Sequence, residues 1–502
     1  MSYTHEKRWA GLGALCLAMS VITLDNTVLD VALPSISSDL KSSMNELQWI
    51  VDIYILIFAS ILITIGALAD QFGRKRFLKI GIVLFTLASL GAGLSTSTVE
   101  LILFRSLSGF GAAFIMPSTL SIITHMFIDS QERMKAIGLW SMIFGLSQGL
   151  GPLIGGFIIQ YISWHWVFFI NLPIGFIAFI YASWILPESH NKSAKADLVG
   201  MMLCVCFLFA LTYGIIEAGV KSWSDLDVRI SLILGLILGG LFIVWERKCA
   251  YAMLPLELFE KRSFTIPSFA IALIVFGMVG SMFFFSQLFQ TVEGYSALEA
   301  GLLLTPITLG IAVGSKLASS VVKHYGTPLS IGGGMIVSAL GMAIFVFTID
   351  VSMPLWAILS GFFIQGLGMG LSMPPSTDSI MGSIPKEKAG VGSALNDTTI
   401  ELSAAMSIAI LGSYVNRIYL SHIKELDVES GLLLALKTSI QSAHNAIASL
   451  SDIPYKQTLL EVVDKAFIDG IYHTMILGCV LSVISGVFAI WLLPKTIQNE
   501  ER

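Results

Sequence analysis

Four carboxylates and one guanidinium lie where the surrounding sequence is too apolar to solvate them. Asp397 and Glu401 fall in AGVGSALNDTTIELSAAMSIAILGS, residues 389–413. They are four apart, so a helix places them on one face. Asp25 and Asp52 lie in apolar runs near the N-terminus, and Arg105 lies in LILFRSLSGFGAAFIMPSTLS, residues 101–121. An ionisable group in such a run is costly and marks a functional site by default. A buried carboxyl can hold a proton or attract a cation, and the two compete for the same oxygens. Arg105 stays charged, so it needs a carboxylate or polar partner, or a path by which its long stem reaches the surface. Aromatic faces attract lipophilic cations. Trp49 stands three residues before Asp52 on one helical face, and Trp140 and Phe144 form a stripe with Gln148. The same residues would also suit an interfacial aromatic belt.

These groups are carried by spanning helices. The 502 residues are 55% hydrophobic and 13% charged, against about 25% charged in soluble domains. Mean hydropathy is +0.81. A spanning helix takes roughly 20 apolar residues. Fourteen such segments can be drawn: 10–33, 47–69, 77–96, 99–122, 135–159, 165–186, 197–217, 228–246, 266–290, 298–320, 328–348, 355–380, 389–414 and 470–493. The first is too long for a cleaved signal peptide and reads as a retained span. With the N-terminus in the cytoplasm, Lys7, Arg8, Arg74, Lys75, Arg76, Lys79, Arg133 and Lys135 all fall inside, and the short outer loops hold Lys41, Lys221 and Arg229. That asymmetry predicts both termini in the cytoplasm.

Polar breaks at 187–197 and 246–264 divide the spans as six, two and six. The expected organisation is an N-terminal six-helix bundle (1–190), a linker with two inserted transmembrane helices (191–264), and a C-terminal six-helix bundle (265–502). Such a plan suggests two bundles around a midplane cavity. The loop 415–469 alternates apolar and polar residues at helical spacing, which predicts two short amphipathic helices on the extracytoplasmic side. The net charge of −5 and the lack of a long basic run give no sign of a nucleic-acid partner. The five cysteines have neither disulfide-framework nor zinc spacing. No nucleophile elbow, metal set or phosphate loop is present, so an enzyme is not expected, and any transport would draw on an ion gradient.

Several stretches go further. In GALADQFGRKRFL, Gly66, Asp70, Gly73, Arg74, Lys75 and Arg76 resemble the loop signature of the major facilitator superfamily. In that superfamily these contacts help hold the cytoplasmic gate shut. GLSQGLGPLIGGFI carries Gly151, Pro152, Gly155 and Gly156 in a G-P-x-x-G-G core that resembles the motif of its antiporter branch. With LDNTVLDVALP, ELQWIVDIY, WHWVFFINLPIG and NDTTIEL, nearly the whole chain resembles the fourteen-helix drug:proton antiporters of the QacA and SmvA type. The resemblance implies an all-α integral membrane fold with two six-helix bundles plus two inserted helices. It also implies export of quaternary ammonium compounds and cationic dyes from a bacterial cytoplasmic membrane. Asp25, Asp52, Asp397 and Glu401 would serve proton coupling or cation recognition, with Arg105 beside the outer pair. No cofactor is expected, and the implied partners are small lipophilic cations, protons and the bilayer, with a monomer as the working unit. The match has departures. Ile311 stands where the QacA-like exporter has an acid, Asn396-Asp397 replaces tandem glutamates, and Ile400 stands where many relatives have arginine. A lipid or glycolipid exporter on the same scaffold and a non-transporting sensor are the alternatives, because a fold does not fix its cargo.

Overall fold

The computed structural model of the chain describes residues 5–189, 196–221, 223–254, 256–350, 353–384, 389–424, 426–450 and 453–493. Among them the regular structure is helical. In order the helices are α1 (His5–Leu40), α2 (Met44–Phe72), α3 (Arg74–Gly93), α4 (Thr98–Met126), α5 (Ser130–Tyr161), α6 (Trp166–Phe169), α7 (Asn171–Ile185), α8 (Leu198–Ala218), α9 (Leu226–Lys248), α10 (Arg262–Gln287), α11 (Ala297–Tyr325), α12 (Thr327–Thr348), α13 (Leu355–Gly382), α14 (Ala389–Ile423), α15 (Ser430–Thr438), α16 (Ile440–Ala448) and α17 (Ile453–Leu492). Among the described residues, fourteen helices are long and apolar enough to cross a membrane, α6 and α7 together counting as one.

Several helices outrun their apolar cores, because nothing in the flanking sequence stops them. α1 passes through Pro34 and ends only at Leu40, where Lys41 takes a left-handed conformation with φ 54°. Asp30, which reads in sequence as near the outer end of span one, therefore lies within the helix and is half-buried. α2 opens on a reciprocal cap. Glu46 accepts from Ser43 N at 2.7 Å and from Ser43 Oγ at 2.8 Å, which satisfies donors that a helix start leaves open. The largest extension is α17, which starts at Ile453 rather than near 470. Residues 453–469 are amphipathic and lack a breaker, and Pro454 sits in the first turn, where proline is tolerated. The connection between α14 and α17 is shortened accordingly, and α15 and α16 are the two short helices within it.

Two units emerge, with boundaries inside helices. The first comprises Met1–Ala32, Ile50–Phe209 and Gly235–Leu254, and the second Leu33–Trp49, Ala210–Leu234 and Pro255–Arg502. In the first, α3 packs on α4 and on α7. In the second, α13 packs against both α11 and α12, and α17 against α12. Phe285, Phe289, Phe345 and Phe362 form an aromatic core there, with ring centroids 4.5 Å apart for Phe285–Phe345 and 4.9 Å for Phe345–Phe362. The same unit holds the turn between α8 and α9, where Lys221 is paired with Asp227 and, at 3.0 Å, with Glu217. The Asp227 and Glu217 carboxylates hold the Lys221 ammonium above the usual lysine range.

The Ser37 hydroxyl meets that of Ser439 at 3.1 Å, Asn445 donates to Ser38 at 3.0 Å, and Thr291 donates to Gln441 at 2.8 Å. The α15–α16 segment is thereby fastened to residues 33–49 and, through Thr291, to the turn that follows α10. Tyr419 of α14 donates to the Leu436 carbonyl at 2.7 Å, and His444 lies 2.6 Å from Asp464 of α17.

Candidate functional site

Asp25 on α1 is buried within the first unit. Its Oδ2 is ion-paired with Arg105 Nη1, and both side chains are only 1% exposed. The other oxygen accepts from Asn171 Nδ2 at 2.7 Å, and Asn171 also donates to Ser89 Oγ at 3.2 Å. Arg105 donates through Nε to the Ile50 carbonyl at 3.2 Å, and its guanidinium lies 4.3 Å from the Tyr54 ring centroid. Five helices, α1, α2, α3, α4 and α7, therefore meet on one buried charge pair. A buried pair repays its desolvation only when its remaining hydrogen-bonding capacity is met, and here backbone, amide and aromatic face meet it.

Local sequence puts these groups in place. Gly109 stands one turn beyond Arg105, and a side-chain carbon there would lie 2.5 Å from the Tyr54 carbonyl oxygen. The missing side chain lets α4 approach α2 at the level of the guanidinium. Gly151 and Gly155 of α5 do the same for α1. A carbon on Gly151 would fall 1.8 Å from Thr27 Oγ1, and one on Gly155 2.7 Å from Val28 Cγ1. The glycine-proline motif thus seats α5 on α1 directly after Asp25. Pro152 lies inside α5, and Gly156 is buried. Replacing Gly151 with valine is expected to cost about 1–3 kcal/mol through overpacking. The control is Gly145→Ala on the same helix, where nothing lies within 4 Å, and melting curves of the two purified variants check the contrast.

Asp52 is also in the first unit and fully buried, but it does not join the pair. Neither of its oxygens has a hydrogen-bond partner. The expected trio of Asp25, Asp52 and Arg105 is thus a satisfied pair plus a separate, unpartnered carboxyl. Asp30 lies close enough to Arg105 to feel its charge.

Asp397 and Glu401 sit on α14 in the second unit, both half-buried. Asn396 donates to Asp397 at 3.3 Å and accepts from Thr377 of α13 at 3.3 Å. Among the described residues neither acid forms an ion pair. Trp140 stacks on Phe144 with centroids 6.2 Å apart and planes 16° from parallel, and its indole N–H is buried without a partner. Trp49 lies in the second unit beside Tyr213, centroids 6.4 Å apart.

The loop between α2 and α3 is a dense polar knot. Arg74 donates to Asp70 at 2.6 Å and to the Ser121 carbonyl at 3.4 Å. Lys75 reaches the Ser183 carbonyl at 2.7 Å, and its backbone N–H donates to Glu188 Oε1 at 3.0 Å. Gly73 has φ +121°, with Glu188 against the face where a side chain would project. Gly66 faces Pro117 of α4, 3.3 Å from where its own Cβ would stand.

Sequence reasoning missed Asn171, Ser89, Tyr54 and Glu188. Asn171 is a lone amide in an apolar run and Glu188 follows a proline; each was visible, but neither spacing nor periodicity names its partner.

The model of the Major Facilitator Superfamily matches residues 15–408. This chain belongs to that superfamily. The multidrug efflux pump LfrA of Mycolicibacterium smegmatis is 31% identical over 483 residues, covering 95% of both chains. The methyl viologen resistance protein SmvA of Salmonella typhimurium is 30% identical over 466 residues, covering 92% of this chain and 93% of that one. In fold, the chain is similar to a bacterial homologue of the human lysosomal transporter Spinster, with TM-score 0.68, 18% identity and 97% of each chain covered. The superfamily member described here is therefore a multi-pass membrane transporter and not an enzyme.

Proposed function

We propose that this transporter exports lipophilic cationic drugs, such as quaternary ammonium compounds and dyes, in exchange for protons by alternating access. The observation that carries the reading is Asp52. It is a fully buried carboxyl with no donor, in the same unit as an Asp25–Arg105 pair whose needs are met. A buried charge without a partner is costly, and a proton removes that cost. Asp52 is thus assigned the proton, the Asp25–Arg105 pair the task of holding the first bundle together, and Asp397 with Glu401 the cation. Asp397 and Glu401 are half-buried and lack a competing ion pair among the described residues. Trp140 with Phe144 in the first unit, and Trp49 in the second, are each assigned an aromatic face for lipophilic cations.

The printed names of the relatives, a multidrug efflux pump and a methyl viologen resistance protein, support this cargo. The lysine and arginine asymmetry supports a bacterial cytoplasmic membrane location with both termini inside. A monomer with no cofactor suffices. Exchanging one monovalent cation for one proton moves no net charge and uses the pH gradient alone. A second proton would add about 2.3 kcal/mol per 100 mV.

The test is tetraphenylphosphonium flux into inside-out proteoliposomes with an imposed pH gradient and an internal pH dye. Uphill cation movement with proton counterflow is expected, and a protein carrying both Asp397→Asn and Glu401→Gln should show neither. Full flux in that double variant would overturn the cation assignment. No flux in folded wild-type protein would overturn the cargo and turn attention to lipid substrates.

A further inference from the structure

A second pair of acids lies away from the transport residues, where the two helices between the six-helix sets enter and leave. Asp197 immediately precedes α8, and Glu246 lies in the last turn of α9; they are 3% and 4% exposed. Asp197 Oδ1 accepts from Gly200 N at 2.8 Å, and both its oxygens accept from Trp245 Nε1, at 2.9 and 3.0 Å. Glu246 Oε2 accepts from Leu254 N at 2.8 Å, while Glu246 Oε1 is buried with no hydrogen-bond partner. A side-chain carbon on Gly200 would stand 2.3 Å from Asp197 Oδ2 and 2.6 Å from that same Glu246 Oε1. The two oxygens thus face each other across a glycine, in the space a side chain would fill.

Among the described residues the surroundings supply no cation. From α8 the pair is approached by Cys204, which is close enough to Glu246 to feel its charge. From α9 comes the Trp245 indole. From α2 comes Thr64, whose hydroxyl donates to the Asp197 carbonyl at 3.5 Å and lies 3.6 Å from Met253 Sδ. From residues 249–254 come Met253 and the Leu254 N–H. Arg247 and Lys248 are exposed and form no ion pair with either acid among the described residues.

We propose that Asp197 and Glu246 hold one proton between them, on Glu246 Oε1 and donated to Asp197 Oδ2, and that this proton keeps residues 249–254 clasped to α8 and α9. Two facing carboxylates in a dry site cannot both ionise cheaply. With the proton present, Glu246 is fixed, and its other oxygen holds the Leu254 N–H. When the proton leaves, the carboxylates repel, Glu246 turns away, and Leu254 loses its acceptor. That segment is the chain's connection to α10, so the clasp makes the connection responsive to proton activity. This site differs from the proposed transport acids, and its test does not require transport.

The readout uses purified full-length protein at equilibrium across a pH series. Infrared difference spectra should show a titrating protonated-carboxyl C=O band that is absent from Glu246→Gln and shifted in Asp197→Asn, whose Glu246 proton loses its acceptor, but unchanged in Asp52→Asn and Asp397→Asn. In parallel, Ala252→Cys is placed in protein whose five native cysteines are serine, and its maleimide labelling is divided by that of a free thiol at each pH. The normalised rate should rise several-fold as the band titrates away, and stay low throughout in Glu246→Gln, whose amide can still donate to Asp197. Gly200→Ala, which wedges the oxygens apart, should label fast at every pH, and it decides the matter should Glu246→Gln not fold. A band unchanged in both acid variants, or a wild-type labelling rate independent of pH, would overturn the proposal.

Discussion

Replacing Arg105 with methionine should destabilise the protein by about 3–5 kcal/mol, because it leaves a buried carboxylate facing apolar surroundings. Asp25 is 1% exposed, and the Asn171 amide would be its remaining donor. The informative comparison is the double variant Asp25→Asn with Arg105→Met. It removes both charges, and replacing a whole buried pair with neutral groups of similar volume is often neutral or stabilising. The double variant should therefore melt near the wild type, whereas Arg105→Met alone should not. The coupling between the two substitutions is the discriminating quantity. Additive effects on unfolding would mean that the pair is not the unit that holds α1, α2, α3, α4 and α7 together. Transport should fail in the single and double variants alike if the pair also orients the path.

The opposite pattern is expected for Asp52. Asp52→Asn should leave melting unchanged or slightly raise it, since no donor is lost, yet abolish uphill cation accumulation. Downhill exchange of labelled cation at equal pH on both sides should persist, because the proton and not the cation is assigned to this carboxyl. The measurement is paired flux from the same liposome preparation, with and without a pH gradient. Retained gradient-driven accumulation would remove Asp52 from the coupling scheme. A large loss of stability would show instead that Asp52 has a structural partner.

The contrast between Asp25 and Asp52 also marks how far the sequence could be read. The helices were legible because bilayer thickness imposes a minimum apolar length and short polar breaks separate the runs. The acids on α14 stood out because Asp397 and Glu401 interrupt one such run. What stayed hidden was which acid meets Arg105. Asp25, Asp52 and Arg105 all fall at similar depth by residue count, and depth says nothing of rotation about the helix axis. Asn171 and Ser89 complete the Asp25 shell from two further helices, and only three-dimensional packing brings them there. The glycines of the 145–158 stretch are legible in sequence as a family-like motif but not as the surface on which Thr27 and Val28 seat. Asp197 and Glu246 were overlooked for another reason. Both lie in stretches that read as solvated breaks, and burial there comes from Trp245 and the Leu254 backbone folding over them. The start of α17 was misjudged because hydropathy finds where a helix becomes apolar, not where it begins.

α14 has one further consequence. It is unbroken from Ala389 to Ile423 and carries Asp397 and Glu401 toward one end. Near the other end, Asn416 donates to Asn45 at 3.1 Å and Tyr419 donates to the Leu436 carbonyl at 2.7 Å. Asp397 and Tyr419 are thus about 33 Å apart along a stiff rod, and a tilt of about 5° about the acids would sweep Tyr419 through about 3 Å. That displacement is as long as the hydrogen bond it would have to break. If cargo binding at the proposed α14 carboxylates tilts the helix, that tilt would pull on the α15–α16 segment as a crank pulls on a lid. No relay of side chains is needed along the way, because the backbone itself transmits the stroke.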